Sequence, residues 1–383
     1  MFSHRLAYSH EYERKLRVGL AGCGGQAFRN ILPSFQYAPV DLVAVCDIDS
    51  ARAAAYARTF GALRSYGDYQ EMLAGEELDA IFLATGYDAN AQPRYPQQAA
   101  VAMRAGFHVW IEKPPASSVK DIEELRAVQE ETGRQVGVGF MKMFTPSAAK
   151  VKRIIARSDF GAPTSMYLRD PEKLPLQSDR GNPQKMIYLL DHIVHPASLI
   201  HHLMGQIRRI YVEEGPAGEA VITMKFTSGA CGVLHLPWGQ SGMSPMERLE
   251  IVGQGANVVV DNNVRLTYYR PGHRGLGSNE YGRIGDYTGA DDDAPLHWEM
   301  DGYSGQPYNM HVFYQGYAPE ILYFCERLLK GEPIVIAGLG DAWHVMRFYE
   351  TLRTITSAPI ELASAPAWTL RGDSEERSGG APE

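Results

Sequence analysis

The stretch Val18-Gly19-Leu20-Ala21-Gly22-Cys23-Gly24-Gly25-Gln26-Ala27 decides the fold of this 383-residue chain. A short apolar run suited to a buried strand leads into G-x-G-x-x-A, and a segment of helical spacing, 27–37, follows it. Gly22 permits the tight turn, Gly24 removes the Cβ that would block a pyrophosphate, and Ala27 lets the helix pack close to the strand. The helix start offers free N–H groups and the positive end of its dipole to phosphate. Asp47 closes the next apolar run, 20 positions after Ala27. A carboxylate there hydrogen-bonds adenosine ribose hydroxyls and repels a 2′-phosphate, which implies NAD rather than NADP. Arg52 softens that preference if it meets a phosphate or stacks on adenine; as a solvated helix residue it does not. A glycine turn from some other α/β fold is the alternative for the loop alone. The flanking strand, the helix and Asp47 together argue against it.

Working outward, apolar runs at 42–46, 80–84, 108–111 and 136–140 alternate with helical spacing at 50–60, 68–74, 96–105 and 118–132. Ser50 and Ser118 are candidate N-caps. The runs are continuously apolar, as in strands covered on both faces, so 16–140 is predicted to be a doubly wound parallel α/β domain of Rossmann type. After Phe140 the rhythm changes. Helical spacing at 147–157 and 191–204 gives way to strand runs at 208–213, 220–226, 232–236, 248–252, 257–261 and 264–269 with no helices between them. That predicts an α+β domain with a mostly antiparallel sheet over 141–365. Helices are expected near 318–329 and 341–357. The weakly periodic stretch 271–310 is expected to be a functional loop or an oligomer arm, and 1–15 and 366–383 to be tails.

Composition narrows the function. With 37 Lys+Arg against 45 Asp+Glu the net charge is −8, and no dense basic stripe is present. Neither nucleic acid nor an anionic membrane is an expected partner. No run of about 18 apolar residues suggests a spanning helix. The first 15 residues lack the apolar stretch of a secretory signal. Four scattered cysteines without a CxxC pair suit a reducing cytoplasm. His192, His195, His201 and His202 come without an HExxH pattern or a cysteine partner, so no metal is expected.

A second cluster, His108-Val109-Trp110-Ile111-Glu112-Lys113-Pro114-Pro115, puts a Glu-Lys pair at the carboxyl end of a strand. Ligands of open α/β sheets bind at that edge, and an ammonium partly removed from water there can handle protons. A plain surface ion pair is the alternative.

Taken together, the glycine loop, Asp47 in Val43-Ala44-Val45-Cys46-Asp47 and the Glu112-Lys113-Pro114 tripeptide resemble the glucose–fructose oxidoreductase / inositol dehydrogenase (Gfo/Idh/MocA) family. The resemblance implies a Rossmann domain plus a C-terminal domain whose large open sheet covers the active site and builds homodimers or homotetramers. It implies NAD as cofactor and a sugar, cyclitol or related small molecule as substrate. The family's second signature, an acidic residue four before a histidine, matches Asp191 and His195. The resemblance therefore assigns His195 as general base, Asp191 as an orienting group and Lys113 as proton relay. Hydride would leave a carbinol carbon as the hydroxyl proton reaches the base. Gly22, Cys23, Gly24, Gly25, Gln26 and Ala27 would hold the pyrophosphate and Asp47 and Arg52 the adenosine end. Thr85, Gly86, Glu112 and Lys113 would border the nicotinamide end.

The chain departs from the family pattern in the substrate region. Tyr95 stands where many members carry histidine, Met141-Lys142-Met143 replaces an Asn/Arg-containing stretch, and the loop after Thr85 is longer. Tyr95, Lys142, Lys185 and His192 are candidate substrate contacts, the two lysines for an anionic or polyhydroxylated ligand; solvated surface charge is the alternative for each lysine. Two other outcomes share the same residues: an NAD-retaining enzyme that cleaves glycosides through transient oxidation, and a non-catalytic NAD-binding sensor.

Overall fold

The computed structural model describes residues 7–271, 294–299, 311–356 and 358–370. Its first sheet is parallel and has six strands: β1 (Leu16–Ala21), β2 (Val40–Cys46), β3 (Arg64–Tyr66), β4 (Ala80–Leu83), β5 (His108–Ile111) and β6 (Val136–Val138). They lie in the order β3-β2-β1-β4-β5-β6. Helices cover both faces, which is why Val18, Leu20, Ile81, Phe82, Val109 and Ile111 are all buried. The strand order reverses between β1 and β4, and the crevice outside their carboxyl ends is where such sheets bind ligands.

The second sheet has nine strands: β7 (Ser165–Arg169), β8 (Ile207–Glu214), β9 (Ala220–Phe226), β10 (Cys231–Leu236), β11 (Arg248–Val252), β12 (Asn257–Asp261), β13 (Arg265–Tyr269), β14 (Leu296–Glu299) and β15 (Ile360–Glu361). The order is β14-β13-β12-β11-β7-β10-β9-β8-β15, antiparallel throughout except for the β7–β10 pair. Burial alternates along β9 and β10, as expected of a sheet packed on one face. The long helix α7 (Pro183–Met204) and the helix Leu339–Thr354 pack together on that sheet's side of the molecule. One large hydrophobic cluster includes Ile111, Leu189, Ile193, Leu234 and Val345, so α7 shares its core with both sheets.

Several local expectations need correction. The helix α2 (Ser50–Phe60) is capped by Asp49, not Ser50: the Asp49 carboxylate accepts from the Arg52 N–H. Ser118 does cap α5 (Val119–Thr132), accepting from the Asp121 N–H. Helix α7 starts at Pro183, eight residues before the expected start at Asp191. Asn182 caps it and Pro183 occupies the first turn, where its missing N–H costs nothing. The segment 27–37 is not one regular helix. Ala27–Ile31 is wound as a π-helix, Leu32–Ser34 as α and Phe35–Tyr37 as 3₁₀. Pro33 cannot donate to the Arg29 carbonyl, and His311 Nε2 lies 3.1 Å from that oxygen instead. The short strands β3, β7, β14 and β15 are not expected from the sequence, because runs of two to five residues carry little periodicity.

The segment before β1 is docked from residue 7 onward. Ser9 Oγ donates to the Val40 carbonyl at 2.9 Å, and Tyr8 packs on Tyr37. Of the stretch 271–310, residues 294–299 carry β14 on the edge of the nine-stranded sheet; the rest lies outside the described residues, as do 371–383. No helix among the described residues is long and apolar enough to cross a membrane.

Candidate active site

The glycine loop leaves β1 under tight steric control. Gly22 has φ +100°, and a Cβ there would sit 2.3 Å from the Ala84 carbonyl oxygen, so β1 and β4 approach as closely as they do only because this residue is glycine. Gly24 and Gly25 are different. A Cβ on either would meet nothing within 4 Å, so the loop faces open space. The helix starts at Gly25, after Gly24, which has no side chain to cap it, and its first bond is Phe28 N–H to the Gly24 carbonyl at 3.1 Å, leaving earlier N–H groups for a ligand. An open glycine cradle before an uncapped helix start suits a pyrophosphate.

Asp47, at the carboxyl end of β2, is buried beside this loop. It accepts from the Cys23 N–H at 2.8 Å and from the Asp49 N–H at 2.9 Å. Arg52 approaches its carboxylate at 3.4 Å and also pairs with Asp49. The guanidinium is thus tethered to the β2 end, half exposed, and is not a free surface charge. Tyr56 donates to the Gly24 carbonyl at 3.0 Å, an anchor of the loop that the motif does not reveal.

Across the switch point, Thr85 Oγ1 bonds Gln98 at 2.5 Å. Gly86 has φ +73° and open space at its Cβ position. Its N–H donates to the Tyr95 hydroxyl at 3.2 Å. Tyr95 is buried, so it supports the Gly86 loop from beneath; burial, and then Glu112, raise its hydroxyl pKa far above the ordinary value. Its side chain serves this loop.

Glu112 is buried at the end of β5. It accepts from Gln26 Nε2 at 2.7 Å and from the Lys113 N–H at 2.9 Å. These bonds tie the glycine loop to the second cluster. Burial pushes the Glu112 carboxyl up to about 6, against the pull of Lys113 and Gln26. The Lys113 side chain turns away from Glu112. Its ammonium lies 3.1 Å from the Asp191 carboxylate and donates to the Asp191 main-chain carbonyl at 3.1 Å. Tyr87 donates to the other Asp191 oxygen at 3.2 Å; this third partner comes from the long loop after Thr85, and no pattern in the sequence marks it.

His195 lies one turn beyond Asp191 on the same face of α7. Its ring makes no hydrogen bond with any described residue. Burial first, then the neighbouring Lys113, Lys142 and His192, hold it well below the ordinary histidine range, so the ring is neutral at pH 7. His192 donates from Nδ1 to the Tyr188 carbonyl at 2.8 Å and packs on the Tyr188 ring. No group of three or more metal-binding side chains assembles among the described residues.

Of the two lysines expected at the substrate, only Lys185 stands as a solvated surface charge. Lys142, on the 3₁₀ turn Met141–Phe144 that packs against α7, is buried in an ion pair with Glu247. Lys185 pairs with Asp179 at 2.6 Å on the surface, and its ammonium does not join the Lys113–Asp191 group.

A dinucleotide cradle at a Rossmann switch point, with an ammonium, a carboxylate and an imidazole beside it, defines an oxidoreductase of the NAD-binding class. The comparisons agree. Residues 16–140 match the oxidoreductase family with an NAD-binding Rossmann fold, and residues 148–259 match the Gfo/Idh/MocA C-terminal domain. The chain belongs to the Gfo/Idh/MocA family of NAD-dependent oxidoreductases. It is 25% identical over 264 residues to the uncharacterised oxidoreductase YrbE of Bacillus subtilis, covering 65% of this chain and 75% of that one. It is 21% identical over 315 residues to myo-inositol 2-dehydrogenase of Thermotoga maritima, covering 78% and 83%. Among solved structures, an Agrobacterium radiobacter oxidoreductase in complex with NAD+, L-tartaric acid and magnesium shares the fold. The TM-score is 0.70 with 16% identity, over 91% of this chain and 98% of that one.

Proposed function

We propose that this enzyme oxidises a secondary hydroxyl of a sugar, cyclitol or sugar-like molecule, or reduces the matching ketone, using NAD(H). The observation that carries this reading is the double contact of the Lys113 ammonium with Asp191, one helical turn from an imidazole whose ring is free for a ligand. Gly22 to Ala27 would hold the pyrophosphate. Asp47, already accepting from the loop, would hold the adenosine ribose and favour NAD over NADP. Thr85 and Gly86 would border the coenzyme, with Glu112 and Lys113 beside the nicotinamide ribose. When bound, NAD supplies the hydride acceptor.

The chain's own residues then handle the proton. His195 is neutral and takes the hydroxyl proton as the carbon gives up hydride. Lys113 donates a hydrogen bond to the same oxygen, and Asp191 holds that ammonium in place with help from Tyr87. General-base help of this kind contributes roughly 10²–10⁴-fold; alignment supplies more.

A panel of sugars and cyclitols followed at the NADH absorbance band, run with NAD and NADP in parallel, tests the reading. NADH accumulation with at least one ring substrate is expected. Release of an aglycone without net NADH would transfer the same residues to glycoside cleavage. Coenzyme binding without turnover of any ring substrate would leave a sensor.

A further inference from the structure

Lys142 and Lys185 are the two lysines that the sequence offers to an anionic substrate, and neither ammonium joins the Lys113–Asp191 group. Lys185 goes to Asp179, and Lys142 goes to Glu247 in a pair where both side chains are almost wholly buried. What remains around that pair is an excess of carboxyl groups. The antiparallel register pairs Arg248 with Arg169, so the next positions outward, Glu247 and Asp170, lie side by side. Asp170 is 4% exposed, and its carboxyl makes no hydrogen bond with any described residue. The turn Asp170-Pro171-Glu172 is closed by the Glu172 N–H donating to the Asp170 carbonyl at 2.8 Å. Glu172 Oε2 is buried outside hydrogen-bonding geometry, with the Tyr188 hydroxyl beside the same carboxylate. One ammonium is therefore set against three carboxyls, of which Asp170 is held largely protonated.

These carboxyls face the helix that carries His195. Burial, then Glu172 and Asp170, push the Tyr188 hydroxyl up to about 12, and Tyr188 shares one face of α7 with His192 and His195. Burial, and then Glu247 and Glu172, push Asp170 up to about 8 despite Lys142. A buried carboxyl with no donor is costly. An ammonium brings three donors and a positive charge, whereas a second carboxylate would add like charge.

We propose that Asp170 and Glu172 are specificity-determining residues that receive an ammonium group on the substrate, so that the preferred class is an amino-substituted sugar or cyclitol. This inference rests on the oxidoreductase reading and deepens it. Rings bearing a carboxylate are disfavoured, and all-hydroxyl rings are handled less well than their amino counterparts.

The test compares kcat/KM of the full-length enzyme with NAD for D-glucosamine against D-glucose, an aminodeoxyinositol against myo-inositol, and D-glucuronate. At least one amino ring is expected to exceed its hydroxyl counterpart by about tenfold or more, as for a charge-assisted hydrogen bond. Asp170→Asn and Glu172→Gln should bring such a pair to within about threefold of each other. The wild-type comparison decides the class without the variants, and thermal melting reports whether each variant is folded. Equal or better turnover of the hydroxyl rings, or preference for D-glucuronate, overturns the inference and leaves the oxidoreductase reading standing. Failure of every ring to reduce NAD overturns both.

Discussion

The ammonium of Lys113 meets Asp191 twice, at the carboxylate and at the main-chain carbonyl, each at 3.1 Å. The two residues are 78 positions apart in sequence. One follows β5 of the parallel sheet and the other is the ninth residue of α7, so this contact joins the parallel sheet to that helix. Removing the ammonium tests it most directly. Lys113→Ala should leave NAD binding within about threefold of wild type and reduce kcat by at least about tenfold, the low end for a proton-transfer group. Coenzyme titration by fluorescence and steady-state kinetics separate the two. Unchanged kcat would take Lys113 out of the mechanism.

The glycines of the loop should respond in opposite ways. At Gly22 a Cβ meets the Ala84 carbonyl and the backbone has positive φ. Gly22→Ala should therefore cost about 2 kcal/mol or more of stability. At Gly24 the space is open. Gly24→Val should alter stability by less than about 1 kcal/mol while weakening NAD by at least about tenfold, because the side chain fills the cradle. Chemical denaturation and coenzyme titration of both variants are the measurements; a stable, NAD-binding Gly24→Val would show that the cradle is not used.

Coenzyme choice should depend on Asp47. Its carboxylate holds the Cys23 and Asp49 N–H groups. Asp47→Ser keeps a short hydrogen-bonding group and removes the charge that repels a 2′-phosphate. The NAD/NADP ratio of kcat/KM should fall by at least about tenfold. An unmoved ratio would place coenzyme discrimination elsewhere.

Lys142 carries a stability prediction. Both it and Glu247 are buried, and deleting one partner leaves the other charge unpaired. Lys142→Met should destabilise the protein by about 3 kcal/mol or more, and Lys142→Met with Glu247→Gln should recover most of that loss. Denaturant midpoints of the three proteins decide. Additive losses in the double variant would show that the pair is not coupled.

Stability should also carry a signature of Glu112. Burial raises its carboxyl from an ordinary 4.5 to about 6. A raised carboxyl binds its proton more tightly in the folded chain, so its contribution is fully present below pH 4.5 and is lost as pH rises through about 6. The difference, 6 − 4.5 = 1.5 pH units, corresponds to about 2 kcal/mol. Glu112→Gln cannot titrate, so its stability relative to wild type should rise between pH 4.5 and pH 7. Parallel stability–pH curves would contradict this.

Local chemistry made much of the molecule legible in the sequence. Gly22, Gly24 and Ala27 announce the first turn because few residues satisfy its backbone and packing demands. The continuous apolar runs of β1, β4 and β5 announce a sheet covered on both faces. The four-residue spacing of Asp191 and His195 puts them on one helical face whatever surrounds the helix. The π-wound start at Ala27–Ile31 was hidden, since Pro33 reveals a missing donor and not which register replaces it.

The tertiary structure alone decided who meets whom. Spacing along the chain cannot tell that Lys113 turns from its neighbour Glu112 to Asp191, that Tyr87 reaches the same carboxylate, or that Lys142 is consumed by Glu247 105 residues away. Those outcomes depend on how two sheets and α7 pack into one core. Charge pairing acts through space over a few ångströms, while sequence patterns report only the few neighbours that a helix or strand period brings together.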